Sequence, residues 1–235
     1  MRIGGFQKLS LVDYPGKISC IVFTIGCNLR CGYCYVPQLV LPERIRDLKE
    51  VPEGEIFSFL ERNKGLNDAV VVTGGEPTIH RELPSFMERI KRMGFLVALE
   101  TNGTNPDMLE GLIEERLVDY VEMDVKTALE FEKYQEITGG VLTEEMFENI
   151  KESIKVLLRS EVDYEFRTTL VKEYHSVEDI LEICRALKGA KAYYLQNLRV
   201  MNELVGGKAL TPFSREEIEK IVAEGRKMTN VRFRE

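Results

Sequence analysis

Three of the chain's five cysteines, Cys27, Cys31 and Cys34, fall within the stretch FTIGCNLRCGYCYVPQ in a Cys-x3-Cys-x2-Cys pattern. Thiolates this close together can hold zinc, close a disulfide or carry an iron–sulfur cluster. A structural zinc site completes its tetrahedron with a fourth Cys or His, usually from a second knuckle. The sequence has no second cysteine pair, so His80 or Cys20 would have to serve. Cys20 sits in the apolar run ISCIVF and reads as a small core residue, as does Cys184 on the apolar face it shares with Ile180, Ile183 and Leu187. Three thiolates hold a 4Fe-4S cluster while leaving one iron without a protein ligand, whereas clusters used only for electron transfer usually take four. An open iron suits a cofactor that chelates through an amine and a carboxylate, which points to an amino acid derivative. A non-catalytic, zinc-binding interaction protein is the rival reading, and colour and iron content separate the two.

The elements that must position these residues alternate between short apolar or β-branched runs and longer amphipathic ones. Strands are predicted at residues 18–25, 68–75, 95–103, 118–126, 163–171 and 190–198. Helices are predicted at 53–63, 81–93, 106–117, 143–160, 176–188 and 214–228, with Pro84 and Pro106 confined to first turns and Thr143 as a capping residue. Six βα units imply an α/β fold with a parallel sheet, here a partial (β/α)6 TIM-like barrel. Residues 126–140, KTALEFEKYQEITGG, form the longest segment without a clear period and read as a mobile or partner-facing loop.

In parallel α/β folds the chemistry sits at the carboxyl ends of the strands. The unusual residues collect there. The cysteines follow the first predicted strand, and Thr73, Gly74, Gly75, Glu76 and Pro77 follow the second. Glu100, Thr101, Asn102 and Gly103 end the third, and Asp124 and Lys126 the fourth. Arg167 lies within the fifth, and Gln196 and Asn197 end the sixth. Singly these are turns or surface pairs of little consequence. Jointly they predict one shared site.

Composition narrows the partners. A chain of 235 residues and 27.0 kDa reads as a single domain spanning 1–235. The formal charge is −7 and no basic stripe with interleaved aromatics appears, which argues against nucleic acid. No window approaches the ~20 apolar residues that span a bilayer, and the first residues lack a secretory pattern, so the expected location is cytoplasmic with no membrane partner. An odd number of cysteines in such a chain favours metal or redox chemistry over a disulfide framework.

CNLRCGYC, with Tyr33 as its aromatic, resembles the signature of radical S-adenosylmethionine (SAM) enzymes, and TGGEP resembles their second motif. GGFQKLSLVDYPGK, FTIGCNLRCGYC, TGGEPT, ETNG and DVK are similar to the activating enzymes of glycyl radical enzymes, especially activators of anaerobic ribonucleoside-triphosphate reductase. The resemblance implies that Cys27, Cys31 and Cys34 ligate three irons of a 4Fe-4S cluster, and that SAM chelates the fourth. Reductive cleavage then yields methionine and a 5′-deoxyadenosyl radical, which takes hydrogen from a backbone glycine of a partner enzyme such as anaerobic ribonucleotide reductase.

It further implies that Gly74 and Gly75 present backbone to the methionyl ammonium and that Glu76 steadies the loop or the amine. Tyr33 meets the adenine through its backbone, and Asn102 bonds ribose or carboxylate. Lys126 and Arg167 face the SAM carboxylate or a developing negative charge, and Gln196 belongs to the same cofactor-binding rim. Glu100, Thr101 and Asp124 match positions that surround a monovalent cation in some related activases. A flavodoxin or ferredoxin is the implied electron donor. Tyr35 and Val36 depart from the family's His and Asn after the third cysteine, and His80 stands near a position often occupied by Gln. Both departures bear on which substrate is used. The alternative is a radical SAM enzyme with a small-molecule substrate, for example a pterin or deazapurine precursor.

Overall fold

The computed structural model describes residues 1–199 and 203–234. Eight strands form one sheet in chain order: β1 (Ile3–Ser10), β2 (Ser19–Thr24), β3 (Ala69–Gly74), β4 (Leu96–Thr101), β5 (Tyr120–Asp124), β6 (Asp163–Leu170), β7 (Tyr193–Asn197) and β8 (Val231–Arg234). β1 pairs antiparallel with β2, and every later pair is parallel. Parallel neighbours require crossovers. After two short turns, α1 (Pro37–Val40) and α2 (Pro42–Ile45), these are supplied by α3 (Glu53–Arg62), α4 (Leu83–Arg92), α5 (Pro106–Glu114), α6 (Phe131–Ile137) with α7 (Glu144–Arg159), α8 (Val177–Ala186) and α9 (Arg215–Gly225). Thr143 caps α7 by accepting from the Met146 amide, and Pro84 and Pro106 sit in the first turns of α4 and α5. Six βα units form a partial barrel as the periodicity predicts. Among the described residues no helix is long and apolar enough to cross a membrane.

Strand alternation divides the core in two. Cys20 and Val22, Val70 and Val72, Val97 and Leu99, Val121 and Met123, and Phe166 face the helices and are fully buried. Their inward neighbours Ile21, Ala69, Val71 and Ala98 form a smaller cluster closed by Tyr14, whose ring lies 5.4 Å from that of Tyr120. Cys20 and Cys184 are both buried core residues, as expected from their apolar runs.

Three features differ from expectation. β1 reads poorly as a strand because it is an edge strand with two glycines and an exposed run at Gln7, Lys8 and Leu9. β8 is only four residues long. Residues 126–140 are not a surface loop: they contain α6, whose Tyr134 and Ile137 are buried. Two helical turns are too short for their period to emerge from sequence.

Candidate active site

Of the residues singled out above, the three cysteines, Tyr33, Thr73 to Glu76, Glu100 to Asn102, Asp124, Lys126, Arg167, Gln196 and Asn197 line one cavity of about 460 Å³ at the carboxyl ends of the strands, whereas Pro77 and Gly103 do not. Cys27, Cys31, Tyr33 and Cys34 come from the loop after β2; Gly74, Gly75 and Glu76 from the end of β3; Thr101 and Asn102 from β4. Asp124 and Lys126 come from β5, Arg167 from inside β6 and Gln196 from β7. His80 is not among the lining residues.

The cysteine loop is held by backbone bonds on both sides and by its own Arg30 side chain. The amides of Arg30 and Gly32 donate to Thr138 O (3.0 Å) and Ile137 O (3.1 Å), the carbonyls at the end of α6. On its other side Val205 N donates to Cys34 O at 2.8 Å and Gly206 N to Gly32 O at 3.0 Å. The Arg30 guanidinium folds back onto Cys27 O and Leu29 O at 2.6 and 2.7 Å. The segment that looked aperiodic is therefore the support of the thiol loop. All three thiols are free, and burial first of all pushes Cys27 up to about 12 and Cys31 to about 11. Thiols in that state ionise only when a strong positive partner such as a metal centre takes the proton's place.

Glu76 ties three segments together. Its Oε1 accepts from Thr78 N (3.1 Å), Thr78 Oγ1 (2.6 Å) and Thr101 Oγ1 (2.7 Å), and its Oε2 from Asn102 N (2.7 Å). The Asn102 amide group in turn donates to Asn28 Oδ1 at 3.0 Å, joining the end of β4 to the cysteine loop. Gly74 and Gly75 allow the ends of β2 and β3 to meet. Gly74 has φ +118°, and a Cβ on Gly75 would lie 1.9 Å from Gly26 O.

An ion network fills the opposite wall. Arg167 donates to Glu122 Oε2 at 2.7 Å and Glu100 Oε2 at 3.1 Å, and its Nε lies 3.3 Å from Asp124 Oδ1. Lys126 Nζ donates to Asp124 Oδ2 at 2.7 Å and stands 5.9 Å above the Tyr33 ring. Burial disfavours charge on both partners, but Lys126 and Arg167 outweigh it and hold Asp124 below its ordinary value, while Asp124 lifts Lys126 above its own. Glu100 and Asp124 thus already face protein cations, and the Thr101 hydroxyl is turned to Glu76. Glu100 Oε1 makes none of these contacts, since those of Glu100 all fall on Oε2.

Sequence reasoning missed Glu122, Glu165, Arg234 and His175. The first two carried a signal, since each is an acid in mid-strand between apolar or aromatic neighbours, Val121 and Met123 for Glu122 and Tyr164 and Phe166 for Glu165. His175 carried none. It is buried, accepts from Val171 N at 3.1 Å through Nδ1 and so donates from Nε2 to Lys126 O at 2.7 Å. The Lys126 amide donates to Tyr134 Oη at 2.9 Å, so the backbone of Lys126 is fixed from both sides. Burial, its largest cause, lowers the His175 pKa below the ordinary 6.5. The unfolded chain therefore binds the extra proton first as pH falls, and this stability is complete above about pH 6.5 and lost progressively below it. Thermal unfolding followed from pH 8 to pH 5 is expected to show that loss, and a His175→Phe variant to lack that part of the slope.

The donor set fits an iron–sulfur cluster better than one metal ion. Sulfurs on a single tetrahedral zinc at ~2.3 Å must lie about 3.8 Å apart. Among the described residues the trio of Cys, His, Asp or Glu ligand atoms mutually within 4.8 Å is Glu130, Asp179 and Glu182, on the outside of the barrel. The three cysteine sulfurs do not all lie within 4.8 Å of one another, which leaves room between them for a centre larger than a single ion.

Comparisons with known proteins agree with this geometry. The family model for the radical SAM superfamily matches residues 21–187. A Methanocaldococcus jannaschii protein provisionally named a glycyl-radical enzyme activating enzyme is 35% identical over 83% of this chain and 78% of its own. The 7-carboxy-7-deazaguanine synthase of Bacillus subtilis is 26% identical over 72% of this chain and 69% of its own. Among solved structures, a radical SAM methyltransferase from Sphaerobacter thermophilus superposes with a TM-score of 0.69 at 16% identity, covering 96% of this chain and 68% of that one. At that identity the likeness concerns the fold.

Proposed function

The chain belongs to the radical SAM superfamily, and from that premise we propose that it is an activating enzyme that generates a glycyl radical on a partner enzyme of the anaerobic ribonucleotide reductase kind. The observation that supports this finer reading most is the similarity to the Methanocaldococcus jannaschii protein, which extends over most of both chains. In this reading Cys27, Cys31 and Cys34 hold a 4Fe-4S cluster, and residues 1–235 act as one domain. With SAM bound, the reduced cluster supplies a 5′-deoxyadenosyl radical.

The chain's own residues bind and orient. Gly74 and Gly75 offer unobstructed backbone carbonyls to an ammonium, and Glu76, through its bonds to Thr101 and Asn102, keeps that backbone in place. Asn102 and Gln196 supply amides to the ribose and carboxylate, and the Tyr33 backbone meets the adenine. Lys126 and Arg167, fixed by Asp124, Glu122 and Glu100, are the cations of the wall that faces the methionyl carboxylate. Asp124 and Thr101 position these groups. An external flavodoxin or ferredoxin in the cytoplasm delivers the electron.

The experiment is anaerobic reconstitution, reduction with dithionite and addition of SAM, with 5′-deoxyadenosine read by chromatography and a Cys31→Ala variant alongside. The nucleoside is expected from the wild type only. An iron-loaded wild type that forms none removes the reading. Incubation with anaerobic ribonucleotide reductase is then expected to give a glycyl radical signal by electron paramagnetic resonance. The relatedness to 7-carboxy-7-deazaguanine synthase favours a second reading, the same radical chemistry on a small molecule. A missing protein radical together with turnover of a deazapurine precursor would select it.

A further inference from the structure

Arg234, at the end of β8, reaches into the barrel and lines the cavity. Its two terminal nitrogens donate to Glu165 Oε1 and Oε2 at 2.6 and 2.7 Å, a bidentate pair, and Nη1 lies 3.8 Å from Glu122 Oε2. Its guanidinium carbon stands 3.8 Å from the centre of the Tyr194 ring. The same Glu122 Oε2 accepts from Arg167. The two arginines therefore share one carboxylate oxygen, Arg167 at 2.7 Å and Arg234 at 3.8 Å.

The register shows why two cations are needed. Glu122 on β5 lies directly opposite Glu165 on β6, and both side chains are buried, at 2% and 0% exposure. Like charges facing each other across neighbouring strands repel, and burial removes the water that would screen them. Burial, followed by the neighbouring Glu100 and Glu165, pushes the Glu122 carboxyl well above its ordinary value, toward a neutral form that shares a hydrogen bond with Glu165. Glu165 also accepts from the Tyr120 hydroxyl at 2.6 Å and keeps the buried negative charge that Arg234 offsets. Four acids, Glu100, Glu122, Asp124 and Glu165, thus share Lys126, Arg167 and Arg234.

We propose that Arg234 is a positioning residue of the SAM site: by satisfying Glu165 and part of Glu122 it leaves Arg167 free to stay at the rim between Glu100 and Asp124. Without it the uncompensated Glu165 carboxylate draws the Arg167 guanidinium away from Glu100 and Asp124. The last strand, remote in sequence from Cys27, Cys31 and Cys34, then sets the geometry of the cofactor wall. The proposal concerns SAM binding and holds whether the substrate is a protein glycine or a small molecule.

The test uses full-length protein, with the SAM dissociation constant of the iron-loaded form measured by equilibrium dialysis and the melting temperature measured without iron. Arg234→Met is expected to weaken SAM binding roughly tenfold with iron content unchanged, and Arg234→Lys to weaken it less. Adding Glu165→Gln to Arg234→Met removes the surplus charge and is expected to restore affinity. If Arg234→Met fails to fold, Arg234→Lys and its pair with Glu165→Gln carry the same comparison. Unchanged SAM affinity in the single variants overturns the proposal. So does a second substitution that recovers melting temperature but not affinity, because the network would then serve stability alone.

Discussion

Gly75→Ala is expected to reduce 5′-deoxyadenosine formation by about 100-fold or more, the scale that a displacement of roughly 1 Å at a reaction centre produces. The new methyl group would lie 1.9 Å from Gly26 O and 2.5 Å from its carbonyl carbon. Both are backbone atoms, so no side chain can rotate away. Gly26 immediately precedes Cys27, and Glu76 N donates to the same Gly26 O at 2.8 Å. Relief of the clash therefore moves the first cysteine, the Gly-Gly carbonyls and the Glu76 tie together. Gly111→Ala, in the middle of α5 with open space around it, is the control and is expected to leave the rate unchanged while slightly raising stability. Equal rates in the two variants would show that the contact between the two loops does not matter to the reaction.

Glu76→Ala is expected to cost about 2–4 kcal/mol in chemical unfolding, with loss of iron binding at ambient temperature. The backbone amides of Thr78 and Asn102 and the hydroxyl of Thr101 would lose their acceptor in a place with almost no access to water. Removing a buried carboxylate offsets part of that cost, which is why the figure stays below the sum of the separate bonds. Glu76→Gln keeps an acceptor at one end but turns an NH2 group toward a donor at the other. It is expected to fall between wild type and alanine. A full-strength alanine variant would mean that the tie between β3, β4 and the cysteine loop is dispensable.

The convergence of the site was legible because of where polar residues stand. In a parallel sheet buried on both faces, a strand that ends in Thr-Gly-Gly-Glu or Glu-Thr-Asn-Gly gains nothing for its core from those residues, so their presence marks the rim. The same logic reached Asp124, Lys126, Arg167 and Gln196. It did not reach Arg234, because VRFR is too short to reveal which of its residues point inward. Nor did it reach the thiol loop's support on α6, where carbonyls at a helix end do the holding and carbonyls leave no trace in residue type. His175 was invisible for a related reason: its partners are the main-chain groups of Lys126 and Val171.

The sheet runs from β1 to β8 without returning to its start. In a closed barrel, strand number and stagger together fix the diameter. Here the first and last strands each keep one unpaired flank, and the circumference is free to change by altered twist alone, with every ladder bond intact. The cavity wall carries Phe23 from near one flank and Arg234 from the other. The gap between the two flanks is therefore the place where the wall can widen without the loss of a ladder bond.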